Sequence, residues 1–564
     1  MSTLAKKPEQ RELFGHPVGL YILFFTEMWE RFSYYGMRAI LTLYLVAKTT
    51  EHNAGFGWTN MEALSLYGWY TMLVYVMSIP GGIIADKVLG QKKSVLYGGI
   101  ILIAGHSILA VQMLWAFYTG LILIILGVGL LKPNISTMVG GLYKQGDIRR
   151  DKGFTIFYIG INLGAFLSSL IVGYVGEVLG WHYGFGLAGF GMFLGLLQYM
   201  YGQKYLVNVG NLRSQKELKN DVSIVTLYRR LFKSPFQLII VVILLALSVY
   251  AWLNFEGSDN WAYGLLFIFL SLVVGMMMMV YKDLDSKIMK DRYVVMLLSF
   301  ILVIVFWGAF EQAGGLMNIY TKNKTDRNAS LLTMSLMFYI PIAFLLIKGI
   351  IGKIKKKENN QYWFIGAAFI AVVYFFLNKY MFTSNPFNIP ASWFQSLNAL
   401  FIIIFGTTVA GFWAKRKLAN KEASSLFKMA VGVIIMGLGF TFMAFATMDF
   451  KANGSSAMYW LVFAYLFHTI GELCSSPVAL SFITKLAPVK YASLMMGVYF
   501  ASTGLGNKVA GILGESATGF GEFDVFTGIT IFTVIFGLIV ILLKKPLIRL
   551  THGAEDDEHV IETN

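Results

Sequence analysis

The sequence predicts an all-α, polytopic membrane protein, and three observations carry that prediction. Apolar runs of about 18–25 residues recur along the chain, each long enough to cross a hydrocarbon core as a helix. Of 564 residues, 57% are hydrophobic and only 14% charged, with a mean hydropathy of +0.63; a soluble chain carries about 25% charged residues. Basic clusters fall in alternate loops between the apolar runs, the pattern of charge retained in the cytoplasm. The alternating strands of a transmembrane barrel, roughly ten residues each, are absent from the sequence.

Taken in order, spans are expected at 17–48, 62–86, 93–113, 115–138, 152–175 and 180–203. The rest follow at 235–255, 260–282, 289–320, 331–351, 362–382, 393–413, 422–449, 456–486, 491–516 and 523–547. The expectation is thus about sixteen transmembrane helices. The leader MSTLAKKPEQRELFGHPVGL lacks a short apolar core with a small-residue cleavage site, so it reads as a cytoplasmic lead into the first helix.

Lysine and arginine bias sets the topology. Inner loops include DKVLGQKKS, YKQGDIRRDKG, YKDLDSKIMKDR and KGIIGKIKKKENN, whereas outer loops such as NFEGSDN and ESATGFGEFD carry no basic residue. TKNKTDRN is an exception, an outer loop with Lys322, Lys324 and Arg327. An even number of spans leaves both termini in the cytoplasm. The expected divisions are 1–203 as a six-helix bundle, 204–234 as a basic cytoplasmic linker and 235–282 as an extra hairpin. A seventh core helix occupies 283–330, a second extra hairpin 331–382, the rest of a second six-helix bundle 383–547, and a cytoplasmic tail 548–564. Neither hairpin holds a central charge, which fits helices packed outside a transport core.

The first helix breaks the apolar rule. Glu27, Glu30, Arg31 and Arg38 lie in a span of membrane length, with Tyr34 and Tyr35 between them. At 100° per residue these six positions share one face roughly 140° wide. A charge at the bilayer centre costs at least ~2.5–3.5 kcal/mol, so such a face turns to a bundle interior or a wet cavity and marks a transport path. The net charge of +15 sits in the loops, which excludes nucleic acid as its reason.

Chain direction sorts the remaining charges by depth. Arg38 and Glu311 fall near the outer side with opposite sign, and Lys132 and Glu472 pair in the same way nearer the inner side. Two such pairs at different depths suit alternating access, in which making one closes a mouth and breaking it opens that mouth. Static pairing that merely holds helices together is the alternative. Glu27 and Glu30, one turn apart beside Arg31, can change proton occupancy when their partner changes. His468, four residues before Glu472, is a candidate for a relay, though a lone intramembrane histidine is more often a packing residue. His106 has no charged neighbour in sequence, and the one cysteine, Cys474, excludes an intramolecular disulfide framework.

The string Glu27-x-x-Glu30-Arg31-Phe32-x-Tyr34-Tyr35 resembles the first-helix signature of the proton-dependent oligopeptide transporters of the major facilitator superfamily. The loop from Gly81 to Lys93, the run Lys132-Pro133-Asn134, and FYIGINLGAF with Asn162 and Gly164 agree with it. So do Phe306 to Gln312, Trp393 to Asn398, and Gly471 to Pro488, so the likeness runs to about residue 510. The resemblance implies a major facilitator fold of 6+6 core helices, to which the apolar runs add two extra hairpins. The one at 331–382 is a departure, since most members of the family have only the hairpin between core helices 6 and 7. It also implies symport of di- and tripeptides with protons, without a bound cofactor.

On that resemblance Glu27, Glu30 and Arg31 serve proton coupling, Arg38–Glu311 forms the outer gate and Lys132–Glu472 the inner one. The peptide amino end would meet Glu472 beside Asn162 and Asn398. Its carboxylate would meet Arg38 and Lys132, with Tyr34, Tyr35, Tyr75, Trp307 and Ser476 lining the cavity. Ala165, Ala399 and Tyr499 depart from the usual Ser, Pro and Trp, and so bear on side-pocket shape. The implied partners are peptides, protons and membrane lipids, not nucleic acid, in a bacterial cytoplasmic membrane. The sequence leaves the oligomeric state open, and a monomer is compatible with it. Competing readings are a relative carrying nitrate or an amino-acid conjugate, and a non-transporting sensor or channel. Nothing in the sequence suggests metal, nucleotide or covalent chemistry, so an enzyme is not expected.

Overall fold

The computed structural model describes residues 11–554 except 144–146, 148, 207–208, 213–223, 255–259, 357–359, 381 and 383. Much of the expected linker 204–234 and the end of the expected tail therefore lie outside the described residues. The first six helices are α1 (Val18–Val46), α2 (Asn60–Leu89), α3 (Gln91–Leu109), α4 (Leu114–Gly141), α5 (Lys152–Leu179) and α6 (Trp181–Gly202). The short α7 (Ile224–Phe232) leads into a hairpin of α8 (Pro235–Asn254) and α9 (Asn260–Asp283). Next come α10 (Lys287–Lys324) and a second hairpin of α11 (Leu331–Ile354) and α12 (Gln361–Tyr380). The last five are α13 (Ala391–Leu418), α14 (Ser425–Asn453), α15 (Met458–Leu486), α16 (Ala492–Phe520) and α17 (Glu522–Leu550).

The protein is all-helical, and among the described residues twelve helices are long and apolar enough to span a membrane. The expected spans 17–48, 93–113, 180–203 and 491–516 are also helices, α1, α3, α6 and α16, but length and composition alone do not set them among the twelve. In α1 the reason is plain, since four charged side chains interrupt its apolar face. The expected single span 289–320 is corrected in one respect: α10 breaks at a tight turn over Glu311–Ala313 and resumes at Leu316.

Apolar side chains gather into two large clusters, one built from α1–α6 and the other mainly from α9, α10 and α13–α17. Small residues let helices approach closely without a strong hydrophobic drive in lipid. A Cβ on Gly432 of α14 would stand 2.6 Å from the carbonyl oxygen of Gly471 on α15. Between the two groups, a Cβ on Gly68 of α2 would meet the Cα of Gly511 on α16 at 3.0 Å. That glycine seam brings α2 and α16 backbone to backbone and sets one wall of the space between the groups.

Both hairpins lie at the periphery. α11 and α12 pack mainly on one another, with many large apolar side chains outward. The chain leaves and rejoins the core beside itself, because Asn328–Ala329 pairs antiparallel with Phe387–Asn388. α8 and α9 are tied to the core at several places, Tyr293 of α10 donating to the Met277 carbonyl of α9 among them. The Tyr263 ring packs on Trp69 of α2, and Asp283 accepts from Lys490 and Tyr491 in the turn before α16.

Candidate functional site

α1 is buried along almost its whole length against α5 and α6. Glu27, Glu30 and Arg31 are 2%, 0% and 2% exposed. Arg31 Nε lies 3.1 Å from Glu27 Oε1 and also donates to Glu30 Oε2. One guanidinium therefore serves two carboxylates, and Glu27 Oε2 and Glu30 Oε1 find no further partner among the described residues. One proton delivered to either acid would relieve this crowding of like charge.

Seven residues further along α1, Arg38 Nη1 donates to both Glu311 oxygens at 2.9 and 2.8 Å. Glu311 sits on the turn that breaks α10, and the break matters. It leaves the Gly314 carbonyl free to accept from Thr42 of α1 at 3.0 Å, while Asn318 donates to the Ala39 carbonyl at 2.8 Å. Tyr67 of α2 adds a second donor and a third contact, Oη to Glu311 Oε2 at 2.9 Å. A Cβ on Gly314 would fall 2.1 Å from that hydroxyl, so a glycine is needed for Tyr67 to reach the carboxylate.

A second closure lies at the same end. Glu177, at the end of α5, accepts from Ser392 N at 2.8 Å, Ser392 Oγ at 2.7 Å and Ala391 N at 3.2 Å. Lys322 Nζ stands 3.2 Å from its other flank. The carboxylate thus caps the first turn of α13, where unpaired amides and the helix dipole favour an anion. Sequence reading missed Tyr67 and Glu177 because neither lies in a charged membrane stripe.

Between the two groups is a cavity of about 1720 Å³. Glu27, Arg31, Tyr35, Arg38, Lys132 and Asn162 line it from the first group, with Trp307, Glu311, Asn398, Glu472 and Ser476 opposite. Of the other expected site residues, Glu30, Tyr34 and Tyr75 are buried behind this lining. Tyr75 instead stacks its ring beneath Lys132, with Nζ 3.7 Å from the centroid. Ala165, Ala399 and Tyr499 all face the cavity. The cavity extends to Asp86, Lys87, Gln91 and Lys490, so it opens at the end opposite the Arg38–Glu311 closure.

At that open end Lys132 and Glu472 form no ion pair with each other among the described residues. Glu472 accepts from Asn398 Nδ2 at 2.8 Å instead. One expected pair is joined and the other is apart. His468 packs against Phe440, ring centroids 4.4 Å apart, and neither it nor His106 bonds through a ring nitrogen to any described residue. Cys474 is buried and accepts from Trp413 Nε1. Among the described residues no cluster of three His, Cys, Asp or Glu side chains could hold a metal ion.

Another buried charge lies away from the cavity. Lys508 of α16 is 1% exposed, 3.3 Å from Glu515, with its ammonium over the rings of Trp69 and Tyr263 at 4.5 and 4.9 Å. It joins the α8–α9 hairpin to α2 and α16 through cation–π contact.

Comparison with known proteins agrees with this architecture. Residues 92–360 and 360–521 match the POT family. The chain is 34% identical to the transporter YclF of Bacillus subtilis (strain 168), over 98% of both chains. It is 32% identical to a di-/tripeptide transporter of Lactococcus lactis subsp. cremoris, over 96% of this chain and 98% of that one. The crystal structure of a peptide transporter POT in complex with sulfate superposes with a TM-score of 0.74 at 31% identity, over 96% of this chain and 98% of that one. The chain belongs to the POT family, the proton-dependent oligopeptide transporters.

Proposed function

We propose that this multi-pass membrane transporter, which is not an enzyme, imports di- and tripeptides with protons by alternating access. The observation that carries this reading is one cavity faced by both signs of charge. Glu472 with Asn398 lies on one wall, and Arg31, Arg38 and Lys132 lie opposite. A zwitterionic peptide needs that polarity at its two ends and room between them. The names of the relatives, a di-/tripeptide transporter and a peptide transporter, point the same way.

In this reading Glu27, Glu30 and Arg31 handle the proton. Tyr34, Tyr35, Arg38, Tyr75, Lys132, Asn162, Trp307, Asn398, Glu472 and Ser476 form the peptide site or support it. Arg38–Glu311 is the outer gate, joined here, and Lys132–Glu472 the inner gate, open here, so the conformation is inward-facing. Sixteen helices cross the membrane, twelve of them as two six-helix bundles with the α8–α9 and α11–α12 hairpins outside. Both termini are cytoplasmic, the membrane is a bacterial cytoplasmic membrane, and the proton gradient takes the place of a cofactor.

The test is uptake of a labelled dipeptide into liposomes under an inward proton gradient. Uptake should be competed by di- and tripeptides, not by free amino acids, and should collapse with a protonophore. Uptake indifferent to the gradient would refute proton coupling, and competition by nitrate rather than peptides would refute the substrate.

A further inference from the structure

Asn398 lies half-buried at the cavity wall, and its amide nitrogen is fully occupied from within the protein. Nδ2 donates to Glu472 Oε2 at 2.8 Å and to Thr469 Oγ1 at 3.1 Å. Thr469 is itself 0% exposed and gives its only hydroxyl proton to the Tyr465 carbonyl at 2.7 Å. The threonine oxygen therefore turns lone pairs alone toward Asn398. Two acceptors, a carboxylate and a committed hydroxyl, thus demand the nitrogen side of the amide, and its oxygen is left for the cavity.

We infer that Thr469 is a positioning residue that locks the Asn398 amide so that this corner presents only acceptors to the peptide. The inference rests on the transport reading above and adds the residue that sets its selectivity for a free amino end. An ammonium brings three donors and no acceptor, which matches a corner made of Asn398 Oδ1 and the Glu472 carboxylate. An acylated amino end brings one N–H and a carbonyl oxygen, and that oxygen meets only lone pairs. Thr469 matters because the Asn398–Glu472 bond alone does not hold the amide. A protonated carboxyl can donate to an amide oxygen, and Asn398 could then turn over. Thr469 has no proton to offer and keeps demanding the nitrogen, so Asn398 keeps its amide oxygen toward the cavity whether or not Glu472 is charged. Sequence spacing hides this arrangement, since Thr469 is not among the residues lining the central cavity and acts through a side chain on another helix.

The test uses the full-length transporter in liposomes with Thr469→Val, which keeps the shape and removes the hydroxyl, and Thr469→Ser, which restores it. For a dipeptide with a free amino end, the valine variant should raise KM about five- to tenfold, the size of one hydrogen bond. Maximal uptake should change little. The preference for that dipeptide over its N-acetylated form, read as the ratio of their inhibition constants, should narrow by the same factor, and serine should recover both. A valine variant whose KM and preference equal those of the wild type would overturn the inference. So would a loss confined to maximal rate, or one that serine does not recover. Failure of the wild type to take up any dipeptide would instead sink the transport reading itself.

Discussion

At the level of single residues, the molecule concentrates its cost in a few buried ions. Removing one partner of a buried pair leaves an uncompensated charge and costs about 3–5 kcal/mol. Glu30 shares Arg31 with Glu27, so Glu30→Gln keeps the shape and removes one of the two competing acids. Gradient-driven uptake should fall while counterflow exchange of peptide for peptide continues; driven uptake at the wild-type rate would remove Glu30 from proton handling. Tyr67→Phe is a milder change, deleting one of the three donor contacts on Glu311. It should weaken the outer closure by roughly 1 kcal/mol, a several-fold population shift. Rising reactivity of a cysteine introduced at the outer end of the cavity toward an impermeant maleimide would report it, and unchanged labelling would show that the hydroxyl carries no gating energy.

Helices and turns act as units at the next scale. The break in α10 does two things at once: it turns Glu311 toward Arg38 and exposes a carbonyl to Thr42. Glu177 joins three elements, the end of α5, the first turn of α13 and Lys322 on α10. Because it spans the two helix groups, the proposed alternating access requires it to release when that end opens. Glu177→Gln keeps a single acceptor oxygen and removes the charge that the helix end and Lys322 both favour. Spin labels at the outer ends of α5 and α13 should then show a longer distance component in electron paramagnetic resonance. A distance distribution identical to wild type would place Glu177 among static contacts. Asp283 ties the α8–α9 hairpin to the turn holding Lys490 and Tyr491, residues that line the open end of the cavity. The hairpin is therefore joined to the open end of the cavity, not merely laid beside the core.

The α11–α12 hairpin differs, and the difference shows only in the whole molecule. It packs chiefly on itself, and the strands on either side of it, Asn328–Ala329 and Phe387–Asn388, already lie hydrogen-bonded together. Replacing residues 331–382 with a short Gly/Ser link should leave gradient-driven dipeptide uptake in place and lower thermal stability. Uptake abolished in a protein that still folds, judged by size-exclusion profile and melting, would give the hairpin a direct part in transport. The glycine contact between Gly68 and Gly511 belongs to this scale too, since it lets the two groups meet without side chains between them.

Membrane residence, the helical class and the chemical identity of the α1 face were all legible in the sequence. Hydrocarbon penalises any charge left in it, so Glu27, Glu30, Arg31 and Arg38 in one span announce a lined interior before any fold is known. Chain direction added depth, enough to bring Arg38 and Glu311 together as candidates. Partnership was decided by the tertiary structure alone. Nothing local in the sequence says that Lys132 lies over Tyr75 while Glu472 bonds Asn398, or that Glu177 caps α13. The same holds for Thr469, which occupies one amide hydrogen of Asn398. These contacts join helices far apart in the chain and depend on how two packed groups sit against each other. Residue spacing encodes the faces of single helices, and only packing chooses which faces meet.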